Sequence, residues 1–292
     1  MSRASSLAPL TAAALWGGMY VVSKWGFSVV PPVTLAFLRV ALGGSTLFVV
    51  VRLTMPTRSF SRTDRRRFGV LGGWVALTLV SQFVGTDLTT ASQGSLLTVL
   101  TPVFTLLLGV NVLGESLSRQ TIGGMALAVV GTLVVLTGQY DFSTIGDGNL
   151  LGVFALFVAS FAWAGYTVWG KPLVRTYSAL ETATYSTLAS IPLVAILVPF
   201  ELAFMSLDVT ITLAIIGAVL YLGVFSTAVA WFLWYRGLEE LDAGVVGVFF
   251  FAQPVVGTAL GALFLSESLG PSFLAGGVVM AVGVWIVSTA GE

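Results

Sequence analysis

The chain has 292 residues, of which 57% are hydrophobic and only 9% charged, and 13 basic residues balance 13 acidic ones. Its mean hydropathy of +0.99 is far from that of a soluble domain of this length. Cysteine and histidine are both absent, which excludes disulfides, thiolate or imidazole metal sites, and catalysis by either residue. This composition is typical of a protein embedded in a membrane.

Ten separated apolar stretches run through the chain. Each holds roughly 20 residues, the length that a helix needs to cross a hydrocarbon core of about 30 Å. The stretches 68–79 and 276–288 lack the alternating polarity of barrel strands. We therefore predict an all-α membrane protein with ten transmembrane helices. The predicted spans are 7–28, 33–53, 68–87, 91–112, 121–138, 149–170, 178–200, 209–234, 244–265 and 271–289.

Basic residues predict the orientation in the membrane. The polar loop 54–67 contains five arginines, whereas the loops predicted on the other side carry acidic residues and neither lysine nor arginine. The positive-inside rule then predicts that both termini are cytoplasmic. A nucleic-acid patch is the alternative for this loop, but spanning helices on both sides argue against it, so no nucleic-acid partner is expected.

The second half of the chain resembles the first. Residues 15–18 and Lys24 match 162–165 and Lys171 at an offset of 147, and Pro102 and 113–117 match Pro254 and 265–269 at an offset of 152. Each half holds five spans, an odd number, so the halves are predicted to be inverted repeats, residues 1–148 and 149–292, around a central cavity. Inverted repeats of this kind build secondary transporters.

These motifs resemble the drug/metabolite transporter superfamily, specifically its ten-helix members built from two EamA-type repeats. The residues that carry the resemblance are Trp16-Gly17, Lys24, Pro31-Pro32, Phe37-Leu38-Arg39, Pro102, 113–117, Ala243, Pro254, 265–269 and Gly276-Gly277. The resemblance covers nearly the whole chain and implies an exporter of amino acids, other metabolites or drugs. The chain looks most similar to the bacterial YddG-type branch of aromatic amino acid exporters, and this resemblance implies a location in a bacterial inner membrane.

Two aromatic pairs are candidates for the cavity wall. Trp16 and Tyr20 are four residues apart on the first helix, and Trp163 and Tyr166 are three apart on the sixth. Because the duplication equates these helices, both pairs are predicted to face one cavity and bind a flat amphipathic solute. Packing or lipid contact is the alternative. Anchoring at the membrane interface is predicted for three other aromatic residues, Trp74, Trp234 and Tyr235.

Polar residues recur at helical spacing in the third and fourth spans, and one stands in the ninth. They are Thr78, Gln82, Thr86, Thr98, Thr101, Thr105 and Gln253. Since a polar group in hydrocarbon needs a partner, these faces are predicted to point inward. Hydrogen bonding between helices is favoured for the threonines, although Thr98 is kept as a substrate candidate together with Gln82 and Gln253.

Apart from Arg52 at the end of the second span, the basic residues within predicted spans are Lys24 and Arg39. A central Lys or Arg is unfavourable by roughly 2.5–3.5 kcal/mol, so intramembrane charges usually mark function or a partnered site. Lys24 has two interpretations, binding of a substrate carboxylate near the outer mouth and structural anchoring. Arg39 is predicted to dock on carbonyls or other acceptors of neighbouring helices, a structural role.

Two prolines occupy matching positions in the two halves. Pro102 and Pro254 are predicted to bend their helices, as hinges of a conformational exchange or as static kinks that shape the cavity. Small residues such as Gly124 and Ala128 are predicted to permit close helix packing.

No acidic residue lies in the middle of a predicted span, and no GxxxxGK[ST] loop for ATP exists. Without a buried carboxylate or a histidine to relay protons, the sequence favours facilitated diffusion by alternating access. Coupling to protons is the alternative.

The sequence thus predicts an exporter of aromatic or similar amphipathic amino acids and metabolites, monomeric or weakly oligomeric, surrounded by lipid and without cofactor or metal. A nucleotide sugar is an alternative cargo that would require several cationic groups. A cationic drug would favour a carboxylate in the cavity. An intramembrane enzyme would require a nucleophile or an acid–base pair at membrane depth, and a channel would not require duplicated halves.

Overall fold

The computed structural model describes residues 3–89, 100–116, 118–137, 150–205, 211–256, 259 and 270–289. Every regular element in these ranges is helical, because backbone groups in hydrocarbon must pair within their own segment. The helices are α1 (Ser6–Phe27), α2 (Pro32–Thr54), α3 (Arg62–Leu88), α4 (Leu100–Leu113), α5 (Arg119–Thr137), α6 (Leu150–Thr176), α7 (Ala179–Leu202), α8 (Leu213–Glu240), α9 (Ala243–Val256) and α10 (Pro271–Thr289).

Six of these helices, α1 to α3 and α6 to α8, are long and apolar enough to cross a membrane. The other four are apolar but shorter over the residues that are described, so the total of ten spans remains a prediction. The outer surface carries large apolar side chains, and Phe154, Leu274 and Trp285 are each more than 60% exposed. Such a surface is suited to lipid and would be a liability in water.

Three helices extend beyond their predicted spans at one end of the bundle. Helix α3 begins at Arg62, α6 ends at Thr176 and α8 ends at Glu240. Ser61 starts α3 as an N-cap, since its hydroxyl accepts the backbone N–H of Asp64 at 3.0 Å. We call this end, where α2 ends and α3 begins, the arginine-rich end.

The segment between α2 and α3 is held against the start of α7. Arg58 forms an ion pair with Glu181 at 3.3 Å, and the ring of Phe60 packs on Tyr177 with centroids 5.1 Å apart. Tyr177 donates to the Asp64 carboxylate at 2.7 Å, which raises the pKa of the Tyr177 phenol. Glu181 is 1% exposed, so the prediction that the chain lacks a buried carboxylate is wrong.

Helices α5 and α10 pack against each other through small residues. A Cβ added to Gly131 would lie 2.3 Å from the backbone nitrogen of Met280, and one added to Gly283 would lie 2.5 Å from that of Ala128. Only glycine permits backbones to approach this closely. The predicted close packing at Ala128 is therefore confirmed.

Candidate functional site

A cavity of about 450 Å³ lies between helices of both halves. Arg39 is the one charged side chain among the described residues that form the wall. The lining residues are Trp16, Met19, Tyr20, Arg39, Thr78, Leu79, Gln82, Thr101, Leu156, Ala159, Ser160, Trp163, Trp231, Phe250 and Gln253.

Five of the predicted substrate residues lie in this wall, namely Trp16, Tyr20, Gln82, Trp163 and Gln253. Gln82 Nε2 donates to the hydroxyl of Tyr20 at 2.9 Å, which joins α3 to α1. Gln253 Nε2 donates to the carbonyl oxygen of Trp16 at 3.3 Å, which joins α9 to α1. Helix α1 therefore shares polar contacts with one helix of each half.

The remaining predicted substrate residues do not line the described cavity. Tyr166 is fully buried behind Trp163, with ring centroids 5.1 Å apart, and its hydroxyl lies 3.1 Å from Ser186 Oγ. The predicted candidate Thr98 lies outside the described residues. Tyr166 thus supports the wall from behind.

Lys24 binds the end of α3. Its Nζ donates to the carbonyl oxygens of Thr86, Asp87 and Thr89 at 3.0, 2.7 and 2.8 Å. The last carbonyls of a helix have no partner within it, and the helix dipole favours a cation there. Of the two interpretations of Lys24, this placement corresponds to structural anchoring.

An aromatic cluster lies next to the cavity on the side of the arginine-rich end. Trp16 and Trp163, which the duplication equates, pack edge to face with ring centroids 5.0 Å apart. Trp234 and Phe250 pack on Trp16 at 5.3 and 5.4 Å. Because Trp234 and Tyr235 are both 0% exposed, the prediction that they anchor the membrane interface is wrong.

Closer to the arginine-rich end, a buried ion pair joins the ends of α4, α6 and α9. Lys171 Nζ lies 2.5 Å from Glu115 Oε1 and 2.6 Å from Asp242 Oδ1. Glu115 also accepts the backbone N–H groups of Ala243 and Gly244 at 2.8 and 3.1 Å, which caps the start of α9. The aromatic cluster and this ion pair lie between the cavity and the arginine-rich end. Glu115 is thus a second buried carboxylate that the sequence did not predict.

Arg39 is held at the wall by a π-helical segment of α8, Tyr221–Val229. Its Nε donates to the hydroxyl of Thr227 at 2.8 Å, and its Nη2 donates to the carbonyl oxygen of Ser226 at 3.2 Å. The same carbonyl accepts the indole N–H of Trp16 at 2.8 Å. A π-helical turn disrupts the regular i to i−4 bonding and often occurs at functional sites. Here it supplies acceptors that orient two residues of the wall.

Helices α2 and α8 come close enough for these contacts because glycines meet where they cross. A Cβ added to Gly43 would lie 2.8 Å from the carbonyl oxygen of Gly223. Arg39 lies one helical turn before Gly43, so its side chain reaches the π-helical segment of α8 directly.

The two prolines have different surroundings. Pro254 follows a 3₁₀ turn, Phe249–Phe251, in α9, and because proline has no N–H it cannot bond to the carbonyl four residues earlier. Pro102 is the third described residue of α4, and residues 90–99, which precede α4, lie outside the described part of the chain. A change of helix type therefore accompanies Pro254, whereas a bend at Pro102 stays a prediction.

Several residues of the wall were not predicted as substrate residues. Trp231 has the clearest sequence signal, since it stands three and four residues before Trp234 and Tyr235 and shares their helix face. Thr78 was part of a polar stripe and was assigned to contacts between helices. For Met19 and Phe250, neither a polar side chain nor a periodic pattern in the sequence indicates that they line a cavity rather than pack in the core.

An apolar helical bundle around a cavity lined by both halves is consistent with a multi-pass membrane transporter. The sequence model of the EamA-like transporter family matches residues 4–137 and again residues 150–289. The chain belongs to the EamA-like transporter family, whose members transport solutes, and the expectation of a membrane transporter is confirmed.

Similar proteins extend over nearly the full length of the chain. A protein of Salmonella typhimurium named probable amino-acid metabolite efflux pump is 28% identical, with 98% of this chain and 95% of the relative covered. A protein of Archaeoglobus fulgidus named uncharacterized transporter is also 28% identical, with 93% and 94% covered. One crystal structure, 21% identical, superposes with a TM-score of 0.80 over 99% of each chain and shows the same fold.

Proposed function

We propose that this protein exports aromatic or similar amphipathic amino acids and metabolites. The observation that carries this proposal is the aromatic wall of the cavity, to which α1, α6, α8 and α9 contribute Trp16, Trp163, Trp231 and Phe250. A flat solute gains apolar burial there and ring contacts of ~0.5–1.5 kcal/mol each. Relatives from Salmonella typhimurium and Escherichia coli that are each named probable amino-acid metabolite efflux pump support the cargo class.

Equivalent contacts in the two halves support the proposal of inverted repeats. The offset of 147 relates Met19 to Tyr166 and Arg39 to Ser186. Arg39 contacts Met19 Sδ at 2.9 Å, and Ser186 contacts the hydroxyl of Tyr166 at 3.1 Å. In each half, therefore, a residue of the first helix contacts the equivalent residue of the second helix. The contact is arginine to thioether sulfur in the first half and hydroxyl to hydroxyl in the second.

Alternating access follows from exchanging the packing of the two repeats. Lys171 and Glu115 pair near the arginine-rich end, and the duplication equates them with Lys24 and Glu267. Glu267 lies outside the described residues. In the proposed alternate state Lys24 leaves the carbonyls of α3 and pairs with Glu267, while Lys171 and Glu115 separate.

The proposed mode of transport is facilitated diffusion down the gradient of the solute. No Asp or Glu is among the described residues of the cavity wall. The buried carboxylates Glu115 and Glu181 are both engaged in ion pairs at the arginine-rich end. A proton-coupled exporter would require a carboxylate that exchanges its proton between the two sides.

Counterflow into proteoliposomes tests the cargo, with labelled tryptophan, threonine, a nucleotide sugar and methyl viologen. We expect saturable exchange of tryptophan, and we expect Trp163→Ala to lower it about tenfold more than exchange of threonine, because a ring contact and its buried area are lost. Trp169→Ala is the matched control, since Trp169 lies on the same helix but packs on Trp74 outside the cavity. Equal loss for every solute would point to a folding defect. Accumulation that requires a proton gradient would contradict facilitated diffusion.

The orientation can be tested with single cysteines, since the chain has none of its own. Ser28, between α1 and α2, and Arg66, at the arginine-rich end, are both exposed. We expect a membrane-impermeant maleimide to label Ser28→Cys in intact cells and to label Arg66→Cys only after permeabilisation. Labelling of both from the outside would reject the proposed topology.

A further inference from the structure

Arg39 is a buried cation whose partners are all neutral. Its side chain is 2% exposed, and it contacts Thr227, Ser226 and Met19 Sδ. Among the described residues no carboxylate lies within ion-pair distance of its guanidinium. A guanidinium has five N–H donors, and these contacts leave at least one N–H of Nη1 for another acceptor. A buried charge without a counter-charge is unfavourable, so this wall favours an anionic group in the cavity.

Two further donors lie on the same wall, Trp231 next to Arg39 and Trp163 next to Trp231. The ring of Trp231 lies 5.9 Å from Arg39 Cζ, and the ring of Trp163 lies 5.6 Å from that of Trp231. Both indole N–H groups are buried and have no hydrogen-bond acceptor within the described structure. Buried N–H groups are nearly always paired, so an exception requires an explanation. All three side chains line the cavity, and all three carry donors.

We infer that Arg39, Trp231 and Trp163 form a subsite for the carboxylate group of the transported solute. This inference rests on the proposed function and specifies which group of the amino acid is recognised and by which side chains. Arginine suits a carboxylate because its planar donors match the two oxygens. The π-helical segment of α8 holds the guanidinium from behind, so the donors are oriented before the solute enters.

The single positive charge selects among anionic cargoes. A nucleotide sugar carries a diphosphate, whose recognition requires several cationic groups, whereas the described wall has only Arg39. A cationic drug would be repelled by the same guanidinium. The solute class that fits both the aromatic wall and one buried cation is a monocarboxylate with an apolar side chain.

Acid and amide pairs test the carboxylate directly. Counterflow with the full-length protein compares phenylalanine with phenylalanine amide and threonine with threonine amide, and it includes UDP-glucose as a phosphate-bearing solute. Each amide keeps the shape and the ammonium group and removes the negative charge. We expect the wild-type protein to prefer the acid by about tenfold or more in the pairs that it transports, which is the effect of a hydrogen bond to a charged group.

Trp231→Phe keeps a ring at the wall and removes only the N–H. We expect it to lower exchange of the acid about tenfold and exchange of the amide by a smaller factor, because the uncharged amide oxygen accepts a weaker hydrogen bond than a carboxylate. Trp234→Phe is the matched control on the same helix, because its N–H already donates to Thr167 Oγ1 at 3.0 Å and it does not line the described cavity. The control variant retains the preference for the acid. Arg39→Gln abolishes that preference, and if this variant does not fold, Trp231→Phe decides the question alone.

The outcomes separate this inference from the proposed function. Equal exchange of phenylalanine and its amide by the wild-type protein, or an undiminished preference in Trp231→Phe, overturns the carboxylate subsite and leaves an aromatic exporter. A preference for threonine over its amide without exchange of phenylalanine supports the subsite and rejects the aromatic cargo. Exchange of UDP-glucose that depends on Arg39, in place of amino acids, overturns the subsite in favour of a phosphate site.

Discussion

Lys171→Met is expected to destabilise the protein by about 3–5 kcal/mol, because it leaves the carboxylate of Glu115 buried without its cation. The two side chains are 6% and 8% exposed, and they lie 2.5 Å apart. The backbone N–H groups at the start of α9 still bind Glu115, but they do not neutralise a full charge. The free energy of unfolding in detergent, measured by denaturant titration, gives the size of the loss.

Two further variants establish that the loss comes from an uncompensated charge. The double variant Lys171→Met, Glu115→Gln is expected to recover a large part of the stability, because no buried charge is left unpaired. Asp242 also loses Lys171, but its side chain is 54% exposed and remains solvated. Arg236→Gln is the control, since Arg236 pairs with Glu239 and is 52% exposed, and such pairs contribute at most about 1 kcal/mol. Equal losses in Lys171→Met and Arg236→Gln, or no recovery in the double variant, would contradict this account of the ion pair.

Gly131→Ala is expected to lower the free energy of unfolding by about 3 kcal/mol or more, because overpacking against backbone has no side chain to move aside. The added Cβ would lie 2.3 Å from Met280 N and 2.7 Å from the carbonyl oxygen of Gly276. Helices α5 and α10 would have to separate, and they pack chiefly against each other. Thermal unfolding in detergent measures the effect.

Gly123→Ala is the matched control on the same helix. No atom lies within 4 Å of a Cβ added there, and alanine favours a helix by about 0.8–1 kcal/mol over glycine in water. We therefore expect Gly123→Ala to be neutral or slightly stabilising. If Gly131→Ala and Gly123→Ala change the stability by the same amount, the close backbone contact between α5 and α10 is not important for the stability of this helix pair.

The helical spans were predictable because they depend on a local property. A segment of apolar residues in hydrocarbon pairs its own backbone groups, whatever its neighbours are. The same locality explains the prediction that Trp16 and Tyr20, which are four residues apart, share a helix face. Both residues line the cavity. Trp163 was found through the duplication, which equates it with Trp16.

Burial of individual polar and aromatic residues was not predictable, because it depends on partners far away in the chain. Trp234 and Tyr235 were expected at the membrane interface, as their type and their position near a span end favour. The structure buries them between α1, α6 and α9, where Trp234 packs on Trp16 and Phe250. The sequence of α8 alone does not indicate whether these two residues lie at the membrane interface or in the protein interior.

Arg39 combines one property that the sequence predicts and another that only the tertiary structure shows. Its type and its place in an apolar stretch already indicated a costly charge that needs acceptors. Its acceptors, however, lie 187 and 188 residues away in α8, on a π-helical segment that local sequence propensities do not predict. The assembled helices also place Arg39 beside Trp231, and Trp231 beside Trp163, at a cavity wall where both indole N–H groups lack an acceptor among the described residues. This arrangement changed the proposed role of Arg39 from structural support to solute recognition.

By itself, the amino-acid sequence determined that this protein is a helical membrane protein of duplicated design, since hydropathy over about 20 residues and matching motifs are properties of the chain alone. The tertiary structure decided which charges are paired and which rings line the cavity. These features arise where distant helices meet, because a side chain in a low-dielectric interior takes its energy from its neighbours rather than from its own segment.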